Sequence, residues 1–416
     1  MNRRAFLTAA AGLPTTAAWI SRLEAAAPLA VPVRSASMWT YLWDIVDEGY
    51  DTPLQLLKEN GLTHVSLAAA YHAGRFLLPH NPRRKVYFLE DGTVYYEPTP
   101  SLYGTVKPLV NSYVKSGHHF GSVRRAAERE GLGASAWVVC CHNTPLGTAY
   151  PSIACVNAFG DPMPHNLCPS SNDLRRYLRG VVCDLASQRA QRIELEAMQF
   201  QGYAHGFHHE REGFALTPAH RFLLGLCFCP SCFDRSTPSV DLVPIQRYVR
   251  KTLEDYFADP PSTTAINTLA DLPQDLFAPL VAWRKDVVVS LAEELQDVVA
   301  KCGTELRPLV SLDPIARDMV GMDVARVAAI TGGVLMPGYV KDGSALRPVL
   351  GAVQSAAKGQ QVIVGFQVGL PESGGKEEFL SRMAAARDMG VRDFNFYNYG
   401  FIPLENLEWI RKGVEG

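Results

Sequence analysis

No run in these 416 residues is apolar for long enough to cross a bilayer, so no stable membrane span is expected. Neither sign of charge dominates. The 40 Lys and Arg nearly balance 42 Asp and Glu, for a formal net charge of −2, and no basic stripe stands out, which argues against nucleic acid as a partner. Low-complexity tracts and clear internal repeats are missing too. So is the glycine-rich phosphate loop that most often accompanies a doubly wound nucleotide-binding sheet. The nine cysteines are odd in number and clustered, unlike a disulfide framework. Cys140 and Cys141 are adjacent, and Cys183 lies in an apolar helical pattern; all three read as buried core.

What is present suits one large domain with insertions: 47% hydrophobic residues, with glycine and proline spread throughout. The chain starts "MNRRAFLTAAAGLPTTAAW". The Arg3–Arg4 pair, the weakly apolar run behind it and the small residues of "EAAAPLA" have the order of a twin-arginine export signal with cleavage near Ala27. The expectation is a signal over residues 1–27 and a periplasmic or secreted mature protein. The competing reading is a basic amphipathic N-terminal helix. Twin-arginine substrates cross the membrane folded, so a metal would be loaded before export.

From residue 35 onward one unit recurs: a strand-like run ending in polar or aromatic residues, a loop, then an amphipathic helix. "SASMWTYLWDI", "THVSLAAAYHAGR", "ASAWVVCCHN", "RIELEAMQF", "ELRPLVSLDP", "GGVLMPGYV", "QQVIVGFQVGLP" and "VRDFNFYNYGF" supply eight strands. Eight strands alternating with helices point to an α/β fold, a (β/α)8 TIM barrel spanning 35–416. Long insertions follow strands two and four, at about 73–117 and 201–275. The first contains "KVYFLEDGTVYYEP", where Asp-Gly between alternating residues marks a β-hairpin. Both insertions leave from strand C-terminal ends, so both belong on the barrel's catalytic face.

The strand ends carry a polar, aromatic-rimmed set suited to a sugar or polyol: aromatic rings face sugar C–H surfaces, while amides, imidazoles and guanidinium groups bond hydroxyls. The first three strands contribute Asp44, then His72 and Arg75, then His142 and Asn143. The later ones contribute Tyr339, Gln367, and Asn395, Tyr397, Asn398 and Tyr399. In "RIELEAMQF", Glu194 and Glu196 alternate with Ile193 and Leu195, so both carboxylates share the inner face. Glu196, nearer the mouth, is the expected general acid. Glu194 is either its catalytic partner or half of a structural pair within the barrel. A second carboxylate for glycosidic chemistry is sought at Asp313, in "VSLDP", although its place before Pro314 and a helix also fits an N-cap.

"HGFHHE" (205–210) and "LCFCPSCF" (226–233) fall in the second insertion. Cys227, Cys229 and Cys232 form C-x-C-x-x-C, a spacing that can grip a structural zinc, with His205, His209 or Cys168 as the fourth ligand. Packed thiols or a disulfide remain alternatives. His208, His209 and Glu210 are consecutive, a poor arrangement for chelating one ion, so they and His205 are expected to touch substrate on a loop that the cysteines clip down. No cofactor is expected to be needed for catalysis.

Together, "VNAFGDPMPHNLCPSSNDLRRYLRGVVCDLA", "IELEAMQFQGYAHGFHHE", "LCFCPSCF" and "YHAGRFLLPHNPRRKVYFLEDGTVYY" resemble an uncharacterised family of exported, glycoside-hydrolase-like TIM-barrel proteins. In these a glutamate-bearing strand precedes a cysteine cluster. The resemblance spans most of the chain from Ser35. It implies an acid/base glutamate at the end of strand four, which Glu196 matches, and a nucleophilic glutamate at the end of strand seven in retaining enzymes. The sequence has Gln367 there, with Glu372 further into the loop. The expected activity is a glycoside hydrolase acting on an oligo- or polysaccharide. Two alternatives share the barrel: a metal-dependent sugar lyase, epimerase or isomerase with Glu196, Asp313 and His72 or His142 as ligands, or a non-catalytic glycan-binding barrel, for which Gln367 is the hint.

Overall fold

The structure, a computed structural model, describes residues 32–203, 210–236, 238–260 and 266–416. The expected signal segment and His205, His208 and His209 lie outside the described residues. Eight strands form the barrel: β1 Ser35–Thr40, β2 His64–Tyr71, β3 Gly133–Val139, β4 Arg192–Glu196, β5 Glu305–Pro308, β6 Gly333–Pro337, β7 Gln361–Gln367 and β8 Asp393–Tyr397. They pair in parallel in the order β5-β4-β3-β2-β1-β8-β7-β6. The two ends of this path meet through a parallel bridge between Leu309 and Leu335 and a Val310 N–H to Leu335 C=O bond of 2.9 Å, so the barrel is nearly closed. The expected α/β barrel is therefore the fold observed.

Eight helices alternate with the strands: α1 Asp51–Glu59, α2 Phe120–Arg129, α3 Asn172–Ser187, α4 Gln274–Val299, α5 Val324–Thr331, α6 Gly343–Ala356, α7 Lys376–Asp388 and α8 Leu407–Glu415. In α3 the Ser171 hydroxyl accepts the Leu174 N–H as N-cap. Leu174, Tyr177, Leu178, Val181 and Leu185 then repeat at helical spacing and are buried. No helix among the described residues is long and apolar enough to cross a membrane.

Local structure departs from expectation in three places. Strand one stops at Thr40, and Leu42–Glu48 is a helix, because the Asp44 carboxylate accepts the Tyr41 N–H (2.8 Å) and caps the turn. The Asp91–Gly92 turn does not join a hairpin. Val86–Phe88 pairs back with Arg75–Leu77, while Thr93–Val94 adds antiparallel to the end of β2 and parallel to Leu109–Val110. A third excursion, 140–171, leaves from β3. It holds a helix (Thr144–Ala149) and an antiparallel pair (Ala154–Val156 with Pro162–Leu167), and it delivers Cys168 to the second insertion.

Candidate active site

Inside the barrel the alternating positions of β1, β2, β4 and β8 meet. Glu194 is fully buried, and its Oε2 accepts from Trp39 Nε1 (2.6 Å) and Ser66 Oγ (2.8 Å). Its Oε1 accepts from Asn395 Nδ2 (2.7 Å), with Arg192 Nη1 3.5 Å away. With donors on both oxygens, this carboxylate is engaged in tying four strands together and in holding the Trp39 indole. The structural-pair reading of Glu194 fits this geometry. Asn395, expected at the mouth, lies beneath it as one of those donors. Gly365 of β7 makes room for the indole, since a Cβ there would lie 2.7 Å from Trp39.

One pleat higher, Glu196 is only partly buried at the strand end. Its Oε2 accepts from Trp137 Nε1 at 2.6 Å. Burial raises the carboxyl's pKa, and the Trp137 bond works against that rise. Aromatic rings surround it. The Trp137 centroid lies 5.9 Å from Trp39, 5.0 Å from Tyr71, 5.7 Å from Tyr41 and 6.1 Å from Tyr397. Tyr41 and Tyr397 hydroxyls are 3.4 Å apart, and Tyr339 stands 6.2 Å from Tyr397, 41% exposed. Burial first, and the neighbouring tyrosines and Glu196 next, push Tyr71 well above the usual phenol range. Burial likewise brings Tyr397 to about 12. At neutral pH these hydroxyls remain donors around one carboxyl group. The Arg75–Leu77 hairpin closes one side through Phe76, whose ring lies 5.0 Å from Tyr41 and 4.8 Å from Phe401.

The other expected residues divide clearly. His72 stacks on Tyr71 (4.3 Å) and on His142 (4.4 Å), so both histidines extend the aromatic wall. Gln367 ends β7 opposite Tyr397 in register. Asn143 is instead a helix cap: it accepts the Leu146 N–H (3.0 Å) and donates to the Gly92 carbonyl (2.9 Å), where a Cβ on Gly92 would strike its amide. Asn398 is fully buried and caps the turn at Gly400 (3.1 Å), and Tyr399 turns away to Glu48 (2.7 Å). Arg75 and Glu210 are exposed. Asp313 is exposed and caps the helix Pro314–Val320 through the Ile315 N–H (2.9 Å), so its capping role is the one the geometry supports. Asp44 is sealed behind Tyr41; burial, with Glu48 and Asp47 adding like charge, pushes its carboxyl up to about 8.

The wall residues Trp39, Tyr41, Tyr71, Phe76, Trp137 and Phe401 were missed by reading strand ends for polar side chains. For Trp39, Tyr71 and Trp137 the signal was an aromatic residue at or near the end of a strand, as in "SMWTY", "AAAYH" and "SAWVV"; Tyr41, Phe76 and Phe401 lie beyond the barrel strands and carry no such signal.

Beside the barrel, Cys168, Cys227, Cys229 and Cys232 are buried, with all four Sγ atoms within 4.8 Å of one another. Cys168 Sγ lies 3.8, 3.6 and 3.4 Å from those of Cys227, Cys229 and Cys232. Four thiolates tetrahedral about a zinc, at Zn–S of about 2.3 Å, stand about 3.8 Å apart. The cluster therefore has the dimensions to hold a structural metal, with Cys168 as the fourth ligand. The Val156 N–H points at Cys227 Sγ (3.4 Å). Among the described residues, Glu196, Asp313, His72 and His142 do not form such a convergent group.

No family model and no curated protein matches the chain. Solved structures do. The glycoside hydrolase domain of PgaB (BpsB) from Bordetella bronchiseptica aligns over 91% of this chain and 98% of that one, with TM-score 0.56 and 14% identity. A β-galactosidase from Marinomonas ef1 aligns over 92% of this chain with TM-score 0.55 and 10% identity. The α-L-fucosidase isoenzyme 2 of Paenibacillus thiaminolyticus aligns over 92% with TM-score 0.53 and 12% identity. The chain spans 59% and 49% of the length of the latter two. At these identities the likeness is one of fold: a glycoside-hydrolase-like TIM barrel.

Proposed function

We propose that the protein is a glycoside hydrolase acting on an oligo- or polysaccharide, with Glu196 as general acid. The observation that carries this reading is the setting of Glu196. It is one carboxyl group at the C-terminal end of β4, raised in pKa by burial, held by the Trp137 indole and ringed by aromatic faces and tyrosine hydroxyls. A raised pKa keeps a proton available for a departing sugar oxygen, and flat rings match the C–H faces of a pyranose. Glu194 acts through others: it fixes the Trp39 floor. The likeness to glycoside hydrolase barrels supports the same reading.

The metal held by the four cysteines is proposed to be zinc, in a structural role. Support comes from the donor set, four soft thiolates, and from Arg284 beside it. That guanidinium is buried over the Phe200 ring (3.9 Å), donates to the Met319 carbonyl (3.0 Å) and feels the Cys232, Cys155, Cys227 and Cys168 thiols. A zinc bound by four thiolates carries net negative charge, which would balance a buried cation that has no carboxylate partner among the described residues.

The test is product release by the purified protein from a broad panel of oligosaccharides and polysaccharides, beside Glu196→Gln. Turnover that falls by on the order of 10²-fold or more in the variant supports Glu196 as the acid. Equal turnover in both removes Glu196 from the mechanism.

A further inference from the structure

We infer that the hairpin beside the barrel mouth docks the protein onto an anionic lipid surface, its outward apolar side chains entering the interface and its cations meeting the headgroups. Side chains alternate across a two-stranded ribbon. Opposite one another stand Arg75 and Phe88, then Phe76 and Tyr87, then Leu77 and Val86. Phe76 and Tyr87 point into the protein, where their rings lie 5.0 Å from Tyr41 and 4.8 Å from Trp43. The other face therefore carries Arg75, Leu77, Val86 and Phe88. An antiparallel ribbon with one face packed commonly turns polar residues outward. Here Leu77 is 68% exposed, Val86 50% and Phe88 71%, and Leu77 and Phe88 are the most exposed large hydrophobic side chains among the described residues. Packing of the hairpin does not account for this face; a partner surface does.

The charge presented around that face has one sign. Of the charged side chains in residues 75–91, the exposed ones are Arg75, Arg83 and Lys85. The acids nearby are turned inward. Asp47 is buried and lies 3.4 Å from both Arg83 and Arg84, so two guanidinium groups share one carboxylate. Asp91 accepts the Ala73 N–H (2.8 Å), and Glu90 accepts the Ser112 N–H (3.2 Å). Lys85 donates to the carbonyls of Pro79 (3.0 Å) and Asn81 (2.9 Å), which leaves its charge unpaired in those bonds.

An anionic bilayer fits this combination better than the other partners of an apolar face. Each strand of the ribbon has three residues, so the face is about 10 Å long at about 3.3 Å per residue. A standard protein interface buries about 800 Å² on each partner, far more than such a face offers. Leu77 and Val86 give a glycan neither a flat ring nor a hydrogen bond. A bilayer sets no such minimum area. Each apolar side chain that enters the acyl boundary gains on its own, while Arg75 and Lys85 reach the headgroups along their alkyl stems. Phe76, on the ribbon's opposite face, closes one side of the barrel mouth, so docking holds that mouth beside the lipid. Where this rests on the hydrolase reading above, the substrate within reach is a glycan attached to a membrane or lying against it.

The experiment is co-sedimentation of the full protein with vesicles of phosphatidylcholine alone and of phosphatidylcholine mixed equally with phosphatidylglycerol. Wild type should partition onto the mixed vesicles, and less so as salt rises. Phe88→Ser and Leu77→Ser should each lower the partition coefficient about tenfold or more. Arg75→Gln should lower it about fivefold, on the mixed vesicles alone. All three side chains are exposed, so the variants should melt with wild type, which checks that the fold is intact. Wild type that binds neither vesicle overturns the inference, as does binding that Phe88→Ser and Leu77→Ser leave unchanged. A dimer broken by those two changes in sedimentation velocity, without vesicle binding, overturns it and makes the face an interface between copies. Glycan binding weakened by Phe88→Ser, again without vesicle binding, overturns it and makes the face a sugar subsite. The vesicle assay contains no substrate, so its failure leaves the hydrolase reading to its own test.

Discussion

Replacing Glu194 by alanine tests whether this carboxylate builds the barrel. The change leaves three buried donors, Trp39 Nε1, Ser66 Oγ and Asn395 Nδ2, without their acceptor, and takes from Arg192 its nearer ion partner. An unsatisfied buried donor costs about 1–3 kcal/mol, and removing one member of a buried ion pair about 3–5 kcal/mol. Water entering the vacated space would partly satisfy the same groups, so these terms do not add, and about 3–5 kcal/mol is expected in all. With an unfolding entropy of about 2.1 cal/mol/K per residue, a chain of this size loses about 1.2 °C per kcal/mol, or about 4–6 °C. Scanning calorimetry of wild type, Glu194→Ala and Glu194→Gln measures this. The glutamine keeps one acceptor and should fall between. A Glu194→Ala protein melting within about 1 °C of wild type would refute the argument that this network is obligatory. One that keeps its melting temperature yet loses turnover would make Glu194 catalytic.

Three further outcomes follow from the same geometry. Trp137→Phe removes the hydrogen bond that holds the Glu196 pKa down, so the alkaline limb of kcat/KM should move to higher pH; a shift to lower pH contradicts the assignment. Asp44 titrates at about 8 in the folded protein against about 3.9 unfolded, so the folded state holds the extra proton and the group's contribution to stability is lost as pH rises from about 4 through about 8. Asp44→Asn, which still offers an oxygen to the Tyr41 N–H, should therefore melt near wild type at pH 4 and increasingly above it towards pH 8–9, as read by melting curves across that range. The cysteine cluster should bring about one equivalent of zinc through purification, measured by elemental mass spectrometry. Cys229→Ser should lower that content and the melting temperature together, and a metal-free wild type of normal stability would exclude the structural metal.

The barrel was legible because its signals are local. Each strand is a short apolar run bounded by turn residues, each helix repeats its apolar face at helical spacing, and eight such units leave few ways to bury every face. Misreadings came where two local options compete. "SASMWTYLWDI" continues as strand by composition, but the Asp44 carboxylate captures the Tyr41 N–H and starts a helix. Asp91–Gly92 does form a turn, yet the strands on either side find better edges, one on Arg75–Leu77 and the other on the end of β2.

For the site, the sequence by itself determined that Glu194 and Glu196 share the inner face, because side chains alternate along a strand whatever surrounds it. It also placed three cysteines within reach of one metal, because their spacing is short. Which glutamate is tied up by other strands was decided only when β1, β2 and β8 brought Trp39, Ser66 and Asn395 onto Glu194 and left Glu196 with the Trp137 indole at the mouth. The fourth thiol, 59 residues before Cys227, is Cys168 because the excursion from β3 folds back onto the second insertion. Hydrogen-bond satisfaction, burial and the pKa values they set are sums over neighbours distant in sequence. Periodicity fixes which way a side chain points, and only the assembled barrel fixes what it meets there.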